Sequence, residues 1–138
     1  MRLRLLVCVF AAATACVLIG APARASTPLI VQDAVWAAKL TGSSAYPAVR
    51  GNVEILLTPD TRTIKVNLSR ATRLSGRRLM VYVGGRLTGL MRVGSRGRAH
   101  LDGPLAPRSL RIGHYRVAVR TRRGVLVASG RLRLVSPH

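Results

Sequence analysis

The sequence predicts an all-β domain, and more specifically a single small β-sandwich of about seven antiparallel strands, immunoglobulin-like in kind. Two observations support this prediction. From Val53 onward, apolar and polar residues alternate over short runs, as they do in strands that bury one face. Turn-forming glycine, proline and aspartate interrupt these runs at intervals too short for helices. A cleaved signal peptide is expected to precede the domain.

Seven strands are expected, over residues 53–57, 63–68, 79–83, 87–93, 98–101, 114–121 and 125–135. The stretch from Asp102 to Pro107 contains one glycine and two prolines, so it favours a loop, which we interpret as the crossover between two sheets.

The first 25 residues have the three parts of a secretory signal peptide. Two arginines precede an apolar run over residues 5–19, and the small-residue motif Ala23-Arg24-Ala25 follows it. The run is shorter than the ~20 residues that a membrane-spanning helix needs. We therefore expect cleavage after Ala25 and a secreted, periplasmic or cell-envelope protein. Lipidation at Cys16, in a degenerate lipoprotein box, is the alternative.

The remaining chain is expected to form one domain without disulfides, because both cysteines, Cys8 and Cys16, lie in the signal segment. Its stability must then come from an ordinary hydrophobic core. Residues 26–52 are interpreted as an N-terminal arm or a first strand, with a strand favoured around Val35 to Lys39. Residues 53–138 are interpreted as the sandwich itself.

Two hairpins have a register that can be argued from the pattern. A three-residue loop, Gly84-Gly85-Arg86, would pair Val83 with Leu87, Val81 with Gly89 and Leu79 with Met91, which places the aliphatic residues on one face. The last hairpin turns at Arg122-Arg123-Gly124. Pairing Arg120 with Val125 there places the apolar residues on one face and the arginines on the other. The predicted inner face holds Tyr115, Val117, Val119, Leu126, Ala128, Leu132 and Leu134, and the predicted outer face holds Arg116, Arg120, Arg131 and Arg133.

The motif Leu74-x-Gly76-x-x-Leu79-x-Val81-x-Val83-Gly84-Gly85 resembles that of short secreted bacterial β-sandwich proteins that have no assigned activity. The resemblance covers Gly51 to Gly130 and implies a fold but no function. Immunoglobulin domains proper have a paired-cysteine core, which this chain lacks after cleavage.

No catalytic, metal or cofactor site is predicted. A zinc site normally needs three protein ligands, and the sequence offers at most two close together, His100 and Asp102. His114 is expected to lie across from Arg131, and His138 ends the chain. The chain has no nucleophile elbow, and its four acids are few for paired-carboxylate chemistry. We therefore expect that the protein is not an enzyme.

Charge is the feature that bears on function. The chain has 23 Lys+Arg against 4 Asp+Glu, a formal net charge of +19, and only Arg2, Arg4 and Arg24 of the basic residues lie in the signal segment. Such a field attracts polyanions and anionic surfaces. The candidate anion-binding residues are Arg116, Arg120, Arg122, Arg123, Arg131 and Arg133, and a second cluster would comprise Arg77, Arg78, Arg96 and Arg98.

Three functions are compatible with these observations. The leading interpretation is an exported, non-enzymatic binding module that docks electrostatically on an anionic cell-envelope polymer or a membrane surface. The first alternative is a structural or protein-partner-binding sandwich, and the second is a hydrolase with an unrecognised site. A merely solvated basic face also fits, because two exposed charges ~7 Å apart repel by only ~0.6 kcal/mol. Aromatic residues are too few for stacking on nucleic-acid bases, so sequence-specific nucleic-acid binding is not expected.

Overall fold

The computed structural model describes residues 34–105 and 115–135, which form nine β-strands and one 3-10 turn, Thr72–Leu74. The strands are β1 (Ala34–Gly42), β2 (Arg50–Leu57), β3 (Arg62–Ser69), β4 (Arg78–Val83), β5 (Arg86–Arg92), β6 (Ala99–Pro104), β7 (Arg116–Thr121), β8 (Leu126–Arg131) and β9 (Arg133–Val135). Within these ranges no helix has the length and apolar character to cross a membrane. The all-β prediction is confirmed.

The strands form one antiparallel sheet in the order β5-β4-β7-β8-β1-β2-β3-β6, and β9 pairs with β1 beside β8. The sheet curls until its two end strands meet, giving a nearly closed, barrel-like body. A Cβ placed on Gly89 of β5 would lie only 2.7 Å from the Cδ2 atom of Leu101 on β6. Because the described strands share one sheet, the predicted division into two sheets of an immunoglobulin-like sandwich is not confirmed.

The inner side of this sheet is the hydrophobic core. Alternate residues of the longer strands point into it, as the period-2 pattern predicts, and β3 shows this most clearly with Ile64, Val66 and Leu68 all buried. The largest fully buried side chains include Leu40, Ile55, Ile64, Leu74, Leu79, Val81, Val83 and Val117. Trp36 and Tyr115 stack at a centroid distance of 4.5 Å and pack against the edge of this core.

The β4–β5 hairpin departs from the predicted register near its turn. The pairs Leu79–Met91 and Val81–Gly89 are confirmed, but a β-bulge at Thr88 then shifts the register, so Tyr82 pairs with Leu87. The predicted pair of Val83 with Leu87 and the three-residue loop are therefore wrong. The turn is Gly84-Gly85 alone, and both glycines have positive φ, 56° and 79°, as a type I′ turn requires. The bulge places Leu87 outside the core.

The β7–β8 hairpin also departs from its predicted register because of a β-bulge. Arg120 pairs with Leu126 and not with Val125, and Arg116, not His114, lies opposite Arg131. The cause is an extra residue, Val127, between the pairs Arg120–Leu126 and Val119–Ala128. A bulge can turn two successive side chains to one side, and here Val127 and Ala128 are both fully buried.

The strand bounds confirm one smaller prediction and correct three others. The strand expected around Val35 to Lys39 is present as β1, which lies between β8 and β2. The stretch 102–104, predicted as loop, continues β6. The single strand predicted over 125–135 is two strands, which meet at the buried residue Leu132. Leu134, predicted in the core, is 54% exposed.

Some predictions fall outside the described residues. They are the signal segment with its cleavage site after Ala25, the lipidation alternative at Cys16, and the positions of His114 and His138.

Candidate anion-binding surface

The outer face of β7 and β8 carries three of the predicted arginines. In β7 the exposed residues Arg116 and Arg120 alternate with the buried residues Val117 and Val119. Arg131 of β8 lies directly opposite Arg116. Directly opposed residues on antiparallel strands have Cβ atoms about 5 Å apart and point to the same side. The structure therefore brings Arg116, Arg120 and Arg131 together on one face.

The neighbouring strands β4 and β5 add two arginines that were not in the predicted face. Arg78 and Arg92 are exposed and lie directly opposite each other. Arg120 lies opposite Met80 of β4, so the two pairs of strands share one continuous outer surface. We call Arg78, Arg92, Arg116, Arg120 and Arg131 the basic face.

No aspartate or glutamate occurs in β4, β5, β7, β8 or β9. The basic face therefore has no acid of its own to neutralise it. Like charges on opposed positions repel modestly in water, and a bound anion would remove that repulsion.

The outer face of β2, β3 and β6, on the other side of the barrel-like body, carries charges of both signs. Lys65 of β3 lies between Glu54 of β2 and Asp102 of β6, directly opposite both. Asp60 lies in the connection between β2 and β3. These three acids are all the acids in the described part of the chain. The described acids are therefore confined to one side of the molecule, where they partly neutralise basic residues such as Arg50, Arg62 and Lys65.

His100 belongs to this mixed side. Its Nδ1 atom donates a hydrogen bond to the Asn67 side-chain oxygen, at 2.6 Å. His100 and Asp102 share the exposed face of β6, as predicted from their spacing.

Arg133 marks the border between the two sides. It is exposed and lies opposite Ala37 of β1. With Arg131 it lines a shallow groove of about 670 Å³ whose other charged residues are Lys39 and Glu54. Arg133 and Arg131 therefore both lie in a groove that contains Glu54, whereas the groove linings that hold Arg78, Arg116 and Arg120 elsewhere contain no acid.

Arg122 and Arg123, the predicted hairpin-tip residues, line a separate groove with Arg77 and Arg78. This groove, which we call the end groove, has a volume of about 450 Å³, with Gly76 and Thr121 completing its lining. The pairing of Leu79 with Thr121 brings the two segments together. Arg98 lies instead beside His100 in another groove, so the predicted second cluster is divided.

Most of these guanidinium groups have no protein partner among the described residues. Arg120 is the exception, because its Nη1 atom donates to the Gly124 carbonyl at 2.9 Å. The side chains of the other basic-face and end-groove arginines make no hydrogen bond or ion pair within residues 34–105 and 115–135. Guanidinium groups bind phosphate and carboxylate through two parallel hydrogen bonds. These donors are available to such a ligand.

Apolar side chains lie among the arginines of the basic face. Met80 pairs with Leu90, and Tyr82 pairs with Leu87, across β4 and β5. Leu87 and Leu90 are 50% and 53% exposed. We call these four residues the apolar strip. The sequence pattern assigned Leu87 to the core, and the bulge at Thr88 is what moves it outward.

No protein-family model matches this chain, and a search of curated proteins found no match.

Proposed function

We propose that the protein is an exported, non-enzymatic binding module that docks electrostatically on an anionic cell-envelope polymer or membrane surface. The observation that carries this proposal is the one-sided distribution of the acids, which leaves the arginines of one face without neutralising charge. Five arginines share the outer face of four adjacent strands that contain no acid, whereas the three described acids lie on the other side.

The merely solvated face is the competing interpretation. Arginines occur on both sides of the molecule, as a general preference for arginine would produce, but a merely solvated face has no reason to exclude acids. A surface that must approach a negatively charged ligand does have such a reason, since each acid would repel that ligand. The end groove supports the same proposal, because its four arginines extend the positive surface around the end of the sheet.

A salt titration of binding tests the proposal. A random-sequence DNA duplex serves as the probe, used only as a phosphate polymer. With about six phosphate contacts, the plot of log K against log salt should have a slope near −5. A flat and weak response would contradict the proposal.

A matched pair of double variants locates the binding charge. Arg116→Gln with Arg131→Gln should weaken binding and make the slope less negative by about 2. Lys65→Gln with Arg98→Gln removes the same charge from outside the basic face, beside His100 and the acids, and should change the slope much less. Equal effects of the two double variants would show that net charge matters and the basic face does not.

A second candidate function is supported by the sheet edges. No backbone ladder joins β5 to β6 in the described part of the chain, so their backbone edges are unpaired although side-chain atoms meet at Gly89 and Leu101. An extended segment of a partner protein can add a strand to such an edge. Proline in place of Thr88 or Leu90 would block strand addition. Because it leaves the charge unchanged, it would also leave salt-dependent polyanion binding intact.

A further inference from the structure

We propose that the outer face of β4 and β5 docks on lipid bilayers rich in anionic phospholipid, with Leu87 and Leu90 entering the headgroup region. This inference rests on the proposed function and narrows its ligand from anionic surfaces in general to a lipid surface.

The apolar strip is continuous and not a scatter of single residues. The pairs Met80–Leu90 and Tyr82–Leu87 lie side by side along the same two strands. The Tyr82 hydroxyl donates to the Met80 sulfur at 3.7 Å, so the tyrosine ring lies along the strip. Contiguous apolar residues on a surface mark interaction sites far more often than isolated ones do.

Arginines of the basic face border this strip. Arg78 and Arg92 form the next outward-facing pair beyond Met80 and Leu90. On the neighbouring strand, Arg120 lies opposite Met80, and Ala118 separates it from Arg116. An apolar centre bordered by guanidinium groups matches the layers of an anionic bilayer, in which phosphates lie above hydrocarbon.

The combination favours a bilayer over a soluble polymer. A charged polymer would neutralise the arginines but would leave Leu87 and Leu90 in water. A bilayer accommodates both kinds of group, and each basic residue near an anionic surface strengthens binding by about fivefold. A tyrosine beside the leucines fits the same location, because its ring and hydroxyl suit the boundary between water and lipid.

Vesicle binding by matched single variants tests this inference. The probes are vesicles of pure phosphatidylcholine and vesicles with an added phosphatidylglycerol fraction, at one salt concentration. Wild type and variants are expressed as the full chain in one bacterial host, so that all of them have the same N-terminus. Leu90→Ser removes an apolar strip residue, and Leu134→Ser is the control, since Leu134 is 54% exposed but lies on β9 opposite Trp36, away from β4 and β5.

The expected result has three parts. Wild-type protein binds the phosphatidylglycerol vesicles and not the phosphatidylcholine vesicles. Leu90→Ser lowers vesicle affinity by about tenfold, whereas Leu134→Ser leaves it unchanged. Both variants bind the DNA duplex as wild type does, with unchanged thermal midpoints, because the charge and the core are untouched.

Other outcomes overturn the inference in distinguishable ways. If Leu90→Ser binds vesicles as well as wild type does, while duplex binding remains salt-dependent, the lipid inference fails and the proposed function stands. If wild type binds neither vesicles nor duplex, both fail. If wild type is a dimer that Leu90→Ser converts to monomer without altering vesicle binding, the strip is covered by a second copy of this chain.

Discussion

Arg116 and Arg131 lie directly opposite each other on β7 and β8, with both side chains exposed on the outer face of the sheet. A fold selected for stability alone would place opposite charges there, as the mixed side does with Lys65 opposite Glu54 and Asp102. The like-charged pair is a small energetic cost that an anionic ligand would offset.

Reversing one charge of this pair should stabilise the protein. Arg131→Glu replaces a repulsive cross-strand pair by an attractive one, which we expect to raise the free energy of unfolding by about 0.2–1 kcal/mol. Arg131→Gln should give a smaller gain. Urea unfolding measures both. An Arg131→Glu variant that is less stable than Arg131→Gln would contradict the observed register.

The Gly84-Gly85 turn requires glycine because of its backbone conformation, and not because a side chain would collide with neighbouring atoms. A Cβ on Gly85 would meet nothing within 4 Å, but its φ is +79°. We therefore expect Gly85→Ala to cost about 1–2 kcal/mol of stability. Gly103→Ala is the control, because that site is equally open and has no positive φ; it should change stability by no more than about 0.5 kcal/mol. Equal effects would argue against this turn.

The meeting of β5 with β6 can be tested by overpacking. Gly89→Val would push against the Leu101 side chain, and we expect it to destabilise the protein by about 1–3 kcal/mol. Adding Leu101→Ala should recover part of that loss, because it removes the atoms in contact. Strictly additive effects of the two substitutions in denaturant unfolding would show that β5 and β6 are not in contact.

Trp36 is the only tryptophan of the chain, which makes its stacking on Tyr115 observable. Tyr115→Leu should change the tryptophan emission and cost about 0.5–1.5 kcal/mol beyond the area lost. Tyr46→Leu removes another tyrosine that packs against the core and does not stack on Trp36. It should leave the emission unchanged, and an emission change of equal size in both variants would argue against the stack.

The strands could be predicted from the sequence because alternation reports directly which side of a strand is buried. The register near the turns could not. At Val127 and Ala128 two successive apolar residues face the core, and at Thr88 a polar residue is the extra one, so composition alone does not mark either bulge. Each bulge reverses the alternation beyond it.

The candidate surface was predictable only within the last hairpin. Arg116, Arg120 and Arg131 follow from alternation along adjacent strands. Their extension to Arg78 and Arg92 depends on the pairing of β4 with β7, which are not consecutive in the chain. The end groove depends on the same pairing. Contacts between distant segments require the topology of the sheet, which local periodicity does not contain.

The most direct test of the central claim is a map of the residues that respond to an anionic ligand. Backbone amide NMR shifts of the protein, followed during titration with the DNA duplex at low salt, provide that map. We predict that the shifts concentrate on β4, β5, β7 and β8 and leave β2, β3 and β6 nearly unchanged. Shifts spread evenly over all strands, or centred on β3 and β6, would contradict a one-sided anion-binding surface.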